Sequence, residues 1–246
     1  MPRPIQLLLT VLFLVLVRIN PALAFQFRPM SQVFAPSGAN ATRAYEVVND
    51  NEERIAVEVT VVERHMDLDG AETYRPAEDD FLIYPAQLIL EPGATQVVRV
   101  SWLGDPAPTQ ELAFRLVAEQ LPIHLVDPSQ PPAEKPVGQV QILLRYLGAL
   151  FVRPEGVQAT VEIEAVVPQG DSQLAVTLAN SGNASASLQD LSLTLTAQGQ
   201  SVTLSPEQLK DVVGTTVLAG QSRRYLVPRP AGLPQGPTTA TFSYRQ

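Results

Sequence analysis

The chain has 246 residues, 45% of them hydrophobic, with 17 basic and 25 acidic side chains and a net charge of −8. The acidic balance repels phosphate backbones and argues against nucleic acid as a partner. Cysteine is absent, which excludes disulfides, thiol nucleophiles and Cys–zinc sites and leaves the core to stabilise the fold unaided.

Residues 1–24 read as a cleavable secretory signal. Arg3 supplies the positive start, and Leu7 to Val17 is an uncharged apolar run. Pro21 and then Ala22-Leu23-Ala24 give a helix breaker and an A-x-A cleavage site. The run is shorter than the roughly 20 residues of a membrane span, and Arg18 interrupts it. The alternative reading is an uncleaved N-terminal anchor. The small residues are not followed by Cys, which argues against a lipid anchor. The expected mature chain starts at Phe25, keeps 222 residues and carries a net charge of −10, because Arg3 and Arg18 leave with the leader.

Beyond the leader, apolar residues alternate as in strands almost everywhere. Val33 to Ala35 lies between polar and Pro-rich stretches. Arg43 to Val48 runs into Asn49-Asp50-Asn51, a turn cluster. Ile55 to Val62 sets Ile55, Val57, Val59 and Val61 on one face. Asp67-Leu68-Asp69-Gly70 reads as a hairpin tip; it looks like a fragment of a calcium loop but lacks the other ligands of an EF-hand. Phe81 to Tyr84 and Leu88 to Leu90 flank Pro85. Glu91-Pro92-Gly93 turns into Thr95 to Trp102, and Phe114 to Glu119 and Val137 to Val152 follow.

The pattern restarts after Arg153-Pro154. Val161 to Val167, Leu174 to Ala179, Ala186 to Leu195, Val202 to Leu204, Arg224 to Val227 and Thr239 to Tyr244 read as short strands. Asn180 to Asn183 has the composition of a hairpin turn. Ser205 to Val212 suits one or two helical turns, with Ser205 as cap and Pro206 in the first position. The halves, about 130 and 90 residues, are each near the size of an immunoglobulin-like sandwich. The predicted fold is all-β, with two β-sandwich domains over 25–154 and 155–246.

Val137 to Val152 stands apart. It is roughly twice the usual strand length and apolar on both faces, with Val140, Ile142, Leu144 and Tyr146 on one and Leu143 and Leu147 on the other. A loop rich in Pro, Ser and Glu precedes it. Either both faces are buried, or this is an edge strand left apolar for a partner strand. Proteins usually blunt such edges, and an unblunted one invites strand addition.

Several segments together resemble the periplasmic pilus-assembly chaperones of the chaperone–usher pathway. Val47-Val48-Asn49-Asp50 with Ile55-Ala56-Val57 resembles the family's strand–Asn-Asp–strand pair. Ile83-Tyr84-Pro85 through Leu90-Glu91-Pro92-Gly93 and Val97-Val98-Arg99-Val100 resembles its Pro, then L-x-P-G-x-x-x-x-V-R segment. Phe114-Arg115-Leu116 with Glu119 to Pro122 is similar to its F strand. Leu150-Phe151-Val152-Arg153-Pro154 resembles the end of its G strand, and Asn180-Ser181-Gly182-Asn183 sits where its second domain has an Asn-led hairpin.

This resemblance implies two immunoglobulin-like domains set at an angle, in an L shape, around a cleft. It implies a periplasmic chaperone that captures pilus subunits lacking their last strand, lends them its own G strand, and passes them to an outer-membrane usher. Neither a small-molecule substrate nor a cofactor, metal or enzyme activity is implied. Aligned from Arg153-Pro154, the donor residues are Val140, Ile142 and Leu144, with Tyr146 next on the same face. The competing reading places them in the chaperone's own core. Better-known branches anchor the subunit's terminal carboxylate with an Arg and a Lys. Ser31 and Ala149 occupy those positions here, which implies a different branch, similar to the archaic (sigma-type) pili. Arg115 and Arg145 are the replacement candidates. Glu111 and Arg153 fall where the family has an interdomain ion pair. Its third member, an Asp, is not evident around Leu233-Pro234-Gln235-Gly236.

A secreted hydrolase would need a catalytic constellation. His65 and His124 are far apart, and neither paired carboxylates with a partner His nor a nucleophile motif is found. The other alternative is a structural protein, a two-sandwich pilus subunit or adhesion protein. The position of the long apolar strand in mid-chain, between two domains, argues against it.

Overall fold

The computed structural model describes residues 25–123 and 142–245. The first ten strands are Phe25–Arg28 (β1), Ser31–Phe34 (β2), Thr42–Asn49 (β3), Ile55–Met66 (β4), Glu72–Pro76 (β5), Phe81–Tyr84 (β6), Gln87–Leu90 (β7), Thr95–Trp102 (β8), Leu112–Gln120 (β9) and Arg145–Val152 (β10). They form two facing sheets. The first has the order β1-β3-β8-β6. The second has the order β2-β10-β9-β4-β5, with β7 also paired to β4. Neighbours run antiparallel except β2 and β10, which are parallel.

The chain changes sheets at two prolines. Pro29 separates β1, in the first sheet, from β2, in the second. Pro85 separates β6 from β7 in the same way. Proline has no N–H to give to a ladder, so a continuous strand ends there and the next segment is free to join another sheet.

Period-2 alternation then fills the space between the sheets. Tyr45 and Val47 face Val57, Val59 and Val61, with Val98 and Val100 from β8 and Leu116 and Leu150 from β9 and β10. At one end Phe81 sits edge-on to Phe34, Trp102 and Phe114, with ring centroids 6.3, 5.0 and 5.0 Å away. Each fully buried side chain of this kind contributes roughly 1.5–3 kcal/mol.

The remaining strands are Val161–Gln169 (β11), Gln173–Asn180 (β12), Ala186–Ser187 (β13), Gln189–Ala197 (β14), Gln200–Thr203 (β15), Thr216–Val217 (β16), Ser222–Pro228 (β17) and Thr238–Arg245 (β18). The sheet β11-β12-β17 faces β15-β14-β18, and β13 pairs with β16. Their own core includes Leu174, Val176, Leu188, Leu193, Leu195 and Val227. The strand expected over Ala186 to Leu195 is split. Its first two residues pair with β16 and the rest with β18, and the ladder slips between Gln189 and Ser192, where Asp190 has a φ of 47°. A short 3-10 helix, Pro206–Leu209, carries a capping box: Ser205 Oγ accepts from Gln208 N, and Gln208 Oε1 accepts from Ser205 N.

Both sandwiches solve one local problem with the same residue. Asn49 ends β3, is fully buried, and donates its amide to the carbonyls of Glu53, Leu90 and Glu91 at 2.9–3.1 Å while accepting from Asn51 N. Asn180 ends β12 and donates to the carbonyls of Ala184, Val217 and Leu218 at 2.8–3.2 Å, while accepting from Thr160 N and Gly182 N. Each amide ties a turn to the neighbouring loop, where no ladder reaches. Replacing Asn180 by Ala leaves several buried backbone groups without partners, and each costs about 1–3 kcal/mol. N180A is expected to lower the urea midpoint by the equivalent of about 3 kcal/mol with an unchanged m-value; a loss below about 1 kcal/mol would contradict this role.

Candidate functional site

The last strand of the first sandwich is only half covered. β10 pairs with β9 along its whole length, Arg145 opposite Glu119 through Val152 opposite Leu112. On its other side β2 joins only from Ala149 onward, opposite Ser31. Before Ala149 the chain at Phe25–Arg28 has already left for the other sheet. Among the described residues no strand pairs with 142–148 on that side, and Ile142, Leu143 and Arg145 are exposed. Of the strand expected over Val137 to Val152, residues 137–141 lie outside the described residues, and the strand is formed from Arg145. Ile142 to Leu144 lie outside it, attached to β9 by the bond from Gln120 N to the Leu144 carbonyl, 2.9 Å.

The four donor candidates lie in different surroundings. Val140 is outside the described residues. Ile142 is 73% exposed, an unusual state for an isoleucine. Leu144 is partly buried against the core. Tyr146 is turned inward: its hydroxyl donates to the Phe25 carbonyl at 2.6 Å, and its ring stands edge-on to Phe25. The apolar side chain most available to a partner is thus Ile142.

Across the second sheet, one row of paired residues reads Ser31, Ala149, Arg115, Val62. Ser31 and Ala149 are neighbours and neutral. The first cation in the row is Arg115, one strand further in. Its guanidinium grips Glu72 with two bonds, Nε to Oε2 at 2.9 Å and Nη2 to Oε1 at 2.6 Å. Arg64, two residues beyond Val62 on the same face of β4, sends Nη2 to the same Oε1 at 2.6 Å. Tyr74 donates its hydroxyl to Oε2 at 2.8 Å. The two oxygens of Glu72 thus receive four donors from three side chains.

Burial alone would raise the Glu72 carboxyl. The bonds from Arg115 and Tyr74 and the charges of Arg64 and Arg115 outweigh it and bring the pKa down from 4.5 to about 2. Arg64 is held below its ordinary value by burial first, then by the neighbouring charges of Arg115 and of Arg223, while Glu72 opposes the shift. Arg223, which comes from β17, acts on Arg64, while the Glu72 carboxylate itself is held by Arg115 and Arg64.

The hairpin that carries Glu72 also touches the second sandwich. At its tip Asp69 takes both Nε and Nη2 of Arg224 at 2.7 Å, and Arg224 N donates to the Leu68 carbonyl at 2.6 Å. Gly70 has a φ of +83°, and a Cβ there would stand 2.7 Å from the Arg223 guanidinium. The positive φ favours glycine here, and any larger residue would also have to push the Arg223 guanidinium aside. Arg145, the other anchor candidate, pairs with Glu119 at 3.4 Å on the rim. It shares a face with Arg115, but the two are four residues apart along the ladder, about 13 Å.

Glu111 and Arg153 meet as an ion pair, with the Glu111 side chain fully buried. Glu111 also accepts from Ser185 N at 3.1 Å, and its own N–H donates to the Asn183 carbonyl at 2.9 Å. The pair therefore joins the linker to the second sandwich's turn. Among the described residues no cluster of three or more His, Asp or Glu side chains is arranged to hold a metal ion.

The description "Pili and flagellar-assembly chaperone, PapD N-terminal domain" matches residues 31–158, more than half of the chain. The chain belongs to this family of pilus-assembly chaperones. The family is one of chaperones rather than enzymes, which also sets aside the pilus-subunit alternative. No match is found among curated protein sequences.

Three solved structures show the same fold. The CsuC chaperone of the archaic Csu pili of Acinetobacter baumannii, in complex with the CsuE tip adhesion subunit, shares 15% identity at a TM-score of 0.58, covering 85% of this chain and 89% of that one. The E. coli chaperone DraB shares 20% at 0.52, covering 85% and 88%. The Salmonella enterica chaperone SafB, in complex with the SafA pilin, shares 16% at 0.51, covering 85% of each chain.

Arg64, Glu72 and Arg223 were not legible as site residues. Continuing the alternation of β4 past Val62 would have put Arg64 on the face of Arg115. No comparable signal marks Glu72, which is 43 positions from Arg115, in a polar strand ending in proline.

Because the folded-state pKa of Glu72 is depressed, its ion pairs add stability above about pH 4.5, and this is lost as pH falls toward about 2. The stability margin of the wild type over E72Q is expected to narrow by about 1.4 kcal/mol per pH unit across that window. Urea unfolding at pH 6, 4 and 3 measures it, and a constant margin would refute the depressed pKa.

Proposed function

We propose that the mature chain, residues 25–246 after removal of the leader 1–24, is a periplasmic chaperone that completes pilus subunits by strand addition. The division into 25–154 and 155–246 follows the two separate cores. The observation that carries the reading is an open, apolar strand edge at 142–148 on the same sheet as an arginine-rich cluster. An incomplete sandwich exposes unpaired backbone and core side chains and aggregates. The free edge of β10 satisfies that backbone, and side chains at alternate positions enter the gap. Val140, Ile142 and Leu144 are the inserted residues. Tyr146, already bonded to Phe25, closes the chaperone's own core behind them.

Arg115, assisted by Arg64, receives the subunit's terminal carboxylate and so sets the register. A guanidinium already held in place loses little freedom when it binds a carboxylate side-on. Arg145 lies too far along the ladder to share that anion and acts at the rim. The shift from the Ser31–Ala149 pair to the next strand supports a branch similar to that of the archaic pili. Glu111 and Arg153 keep the two sandwiches in fixed relation.

Delivery to an outer-membrane usher completes the cycle. Support for a second docking face comes from Leu82, Tyr84 and Val97, exposed on the outer face of the first sheet, away from β10.

Two variants test the capture step. Ile142 is exposed, so I142D leaves the monomer folded. Loss of its burial weakens capture by roughly 10- to 100-fold, read as recovery of a one-to-one complex on periplasmic co-expression with a candidate subunit. Undiminished capture by I142D would remove 142 from the donor segment. R115A is expected to abolish stable capture with the fold retained by circular dichroism, and normal capture by it would remove Arg115 from the anchor.

A further inference from the structure

We propose that Glu72 is a built-in substitute for the subunit's carboxylate: it occupies the arginine anchor of the empty chaperone and is displaced on capture. This rests on the reading of Arg115 as the anchor.

The geometry supports displacement over simple support. Glu72 takes the side-on face of Arg115, Nε and Nη2 together, and shares Oε1 with Nη2 of Arg64. That fork is what an incoming carboxylate needs for bidentate binding, so both anions cannot hold it at once. An empty anchor without Glu72 would leave Arg64, with only 4% of its side chain exposed, as an uncompensated buried cation, a costly arrangement. A resident carboxylate removes that cost and can be exchanged for an external one at nearly constant local charge.

The strand that carries it is built to yield. β5 is the outermost strand of its sheet, is paired only to β4, and has no buried residue. Arg115 and Arg64, by contrast, project from β9 and β4 in the middle of the sheet. Movement of Glu72 disturbs one exposed ladder and the surface contacts of the hairpin tip with Arg224, whereas movement of either arginine would disturb the middle of the sheet. The cluster also keeps polar capacity in reserve: Nε of Arg64 is buried with no hydrogen-bond partner. Displacement therefore leaves a further donor, Arg64 Nε, on the guanidinium that already bonds Glu72.

The test uses the full mature chain and a synthetic peptide of alternating Val and Thr, prepared as the free C-terminal acid and as the C-terminal amide. Calorimetry is expected to show that E72Q binds the acid at least about tenfold more tightly than the wild type does, with the amide unaffected. Y74F removes only the exposed tyrosine's bond to Glu72 and is expected to shift binding the same way by a few-fold, which guards against misfolding of E72Q. Acid binding to the wild type should also speed amide exchange in Glu72–Pro76 but not in Leu112–Gln120. If the wild type prefers the acid, R115A loses that preference, and E72Q and Y74F bind the acid no better than the wild type, displacement is overturned while the anchor stands. If neither the wild type nor E72Q distinguishes acid from amide, the anchor reading fails, and this inference with it.

Discussion

The open edge of β10 follows from one backbone constraint. Pro29 cannot donate to a ladder, so the N-terminal strand cannot run on along one sheet. Phe25–Arg28 pairs with β3, and Ser31–Phe34 pairs with β10. Had the segment continued in the second sheet, it would have covered residues 142–148 and satisfied their backbone. Instead it seals the other sheet with Phe25 and Phe27 and leaves a length of β10 uncovered. An edge of this kind is a liability in an ordinary sandwich. Here it is the edge proposed to receive a partner's strand.

A second constraint is electrostatic. Burying Arg64 beside Arg115 and Arg223 is unfavourable unless an anion compensates them. Glu72 is that anion, and it arrives on a peripheral hairpin whose tip is held by Arg224 of the second sandwich. The Arg64–Arg115 pair, the hairpin and the second sandwich are thereby joined through a short stretch of chain. Glu111 makes a separate joint at the linker, where its buried carboxylate is shared between Arg153 and Ser185 N. The sandwiches thus meet through paired charges and backbone bonds.

Much of the fold was legible because strand alternation is local. Ile55, Val57, Val59 and Val61 declare their buried face within eight residues, and the turn at Glu91-Pro92-Gly93 declares its position by composition. β5 was not legible, because Glu72–Pro76 has no apolar alternation and owes its strand form to pairing with β4. Ile142 to Leu144 are apolar enough for a strand but lie outside β10, because the ladder to β9 ends beside Gln120. In the site, Arg115 stood out as a lone cation in an apolar strand. Arg64 and Glu72 did not, since an outward-facing arginine and a glutamate beside a hairpin are ordinary surface residues until the register places them together.

By itself, the amino-acid sequence determined the all-β class, the paired sandwiches, the apolar strand before Arg153 and the absence of cations at Ser31 and Ala149. These depend on residue type and period, which are local properties. Only the tertiary structure decided which part of that strand lies open, that Tyr146 faces inward, and that Arg64 and Arg115 converge on one carboxylate, with Arg223 of the second sandwich acting on Arg64. Those outcomes depend on sheet switching, ladder register and a contact between domains. Each brings together residues distant in sequence, and their energies arise only when the chain has folded around them.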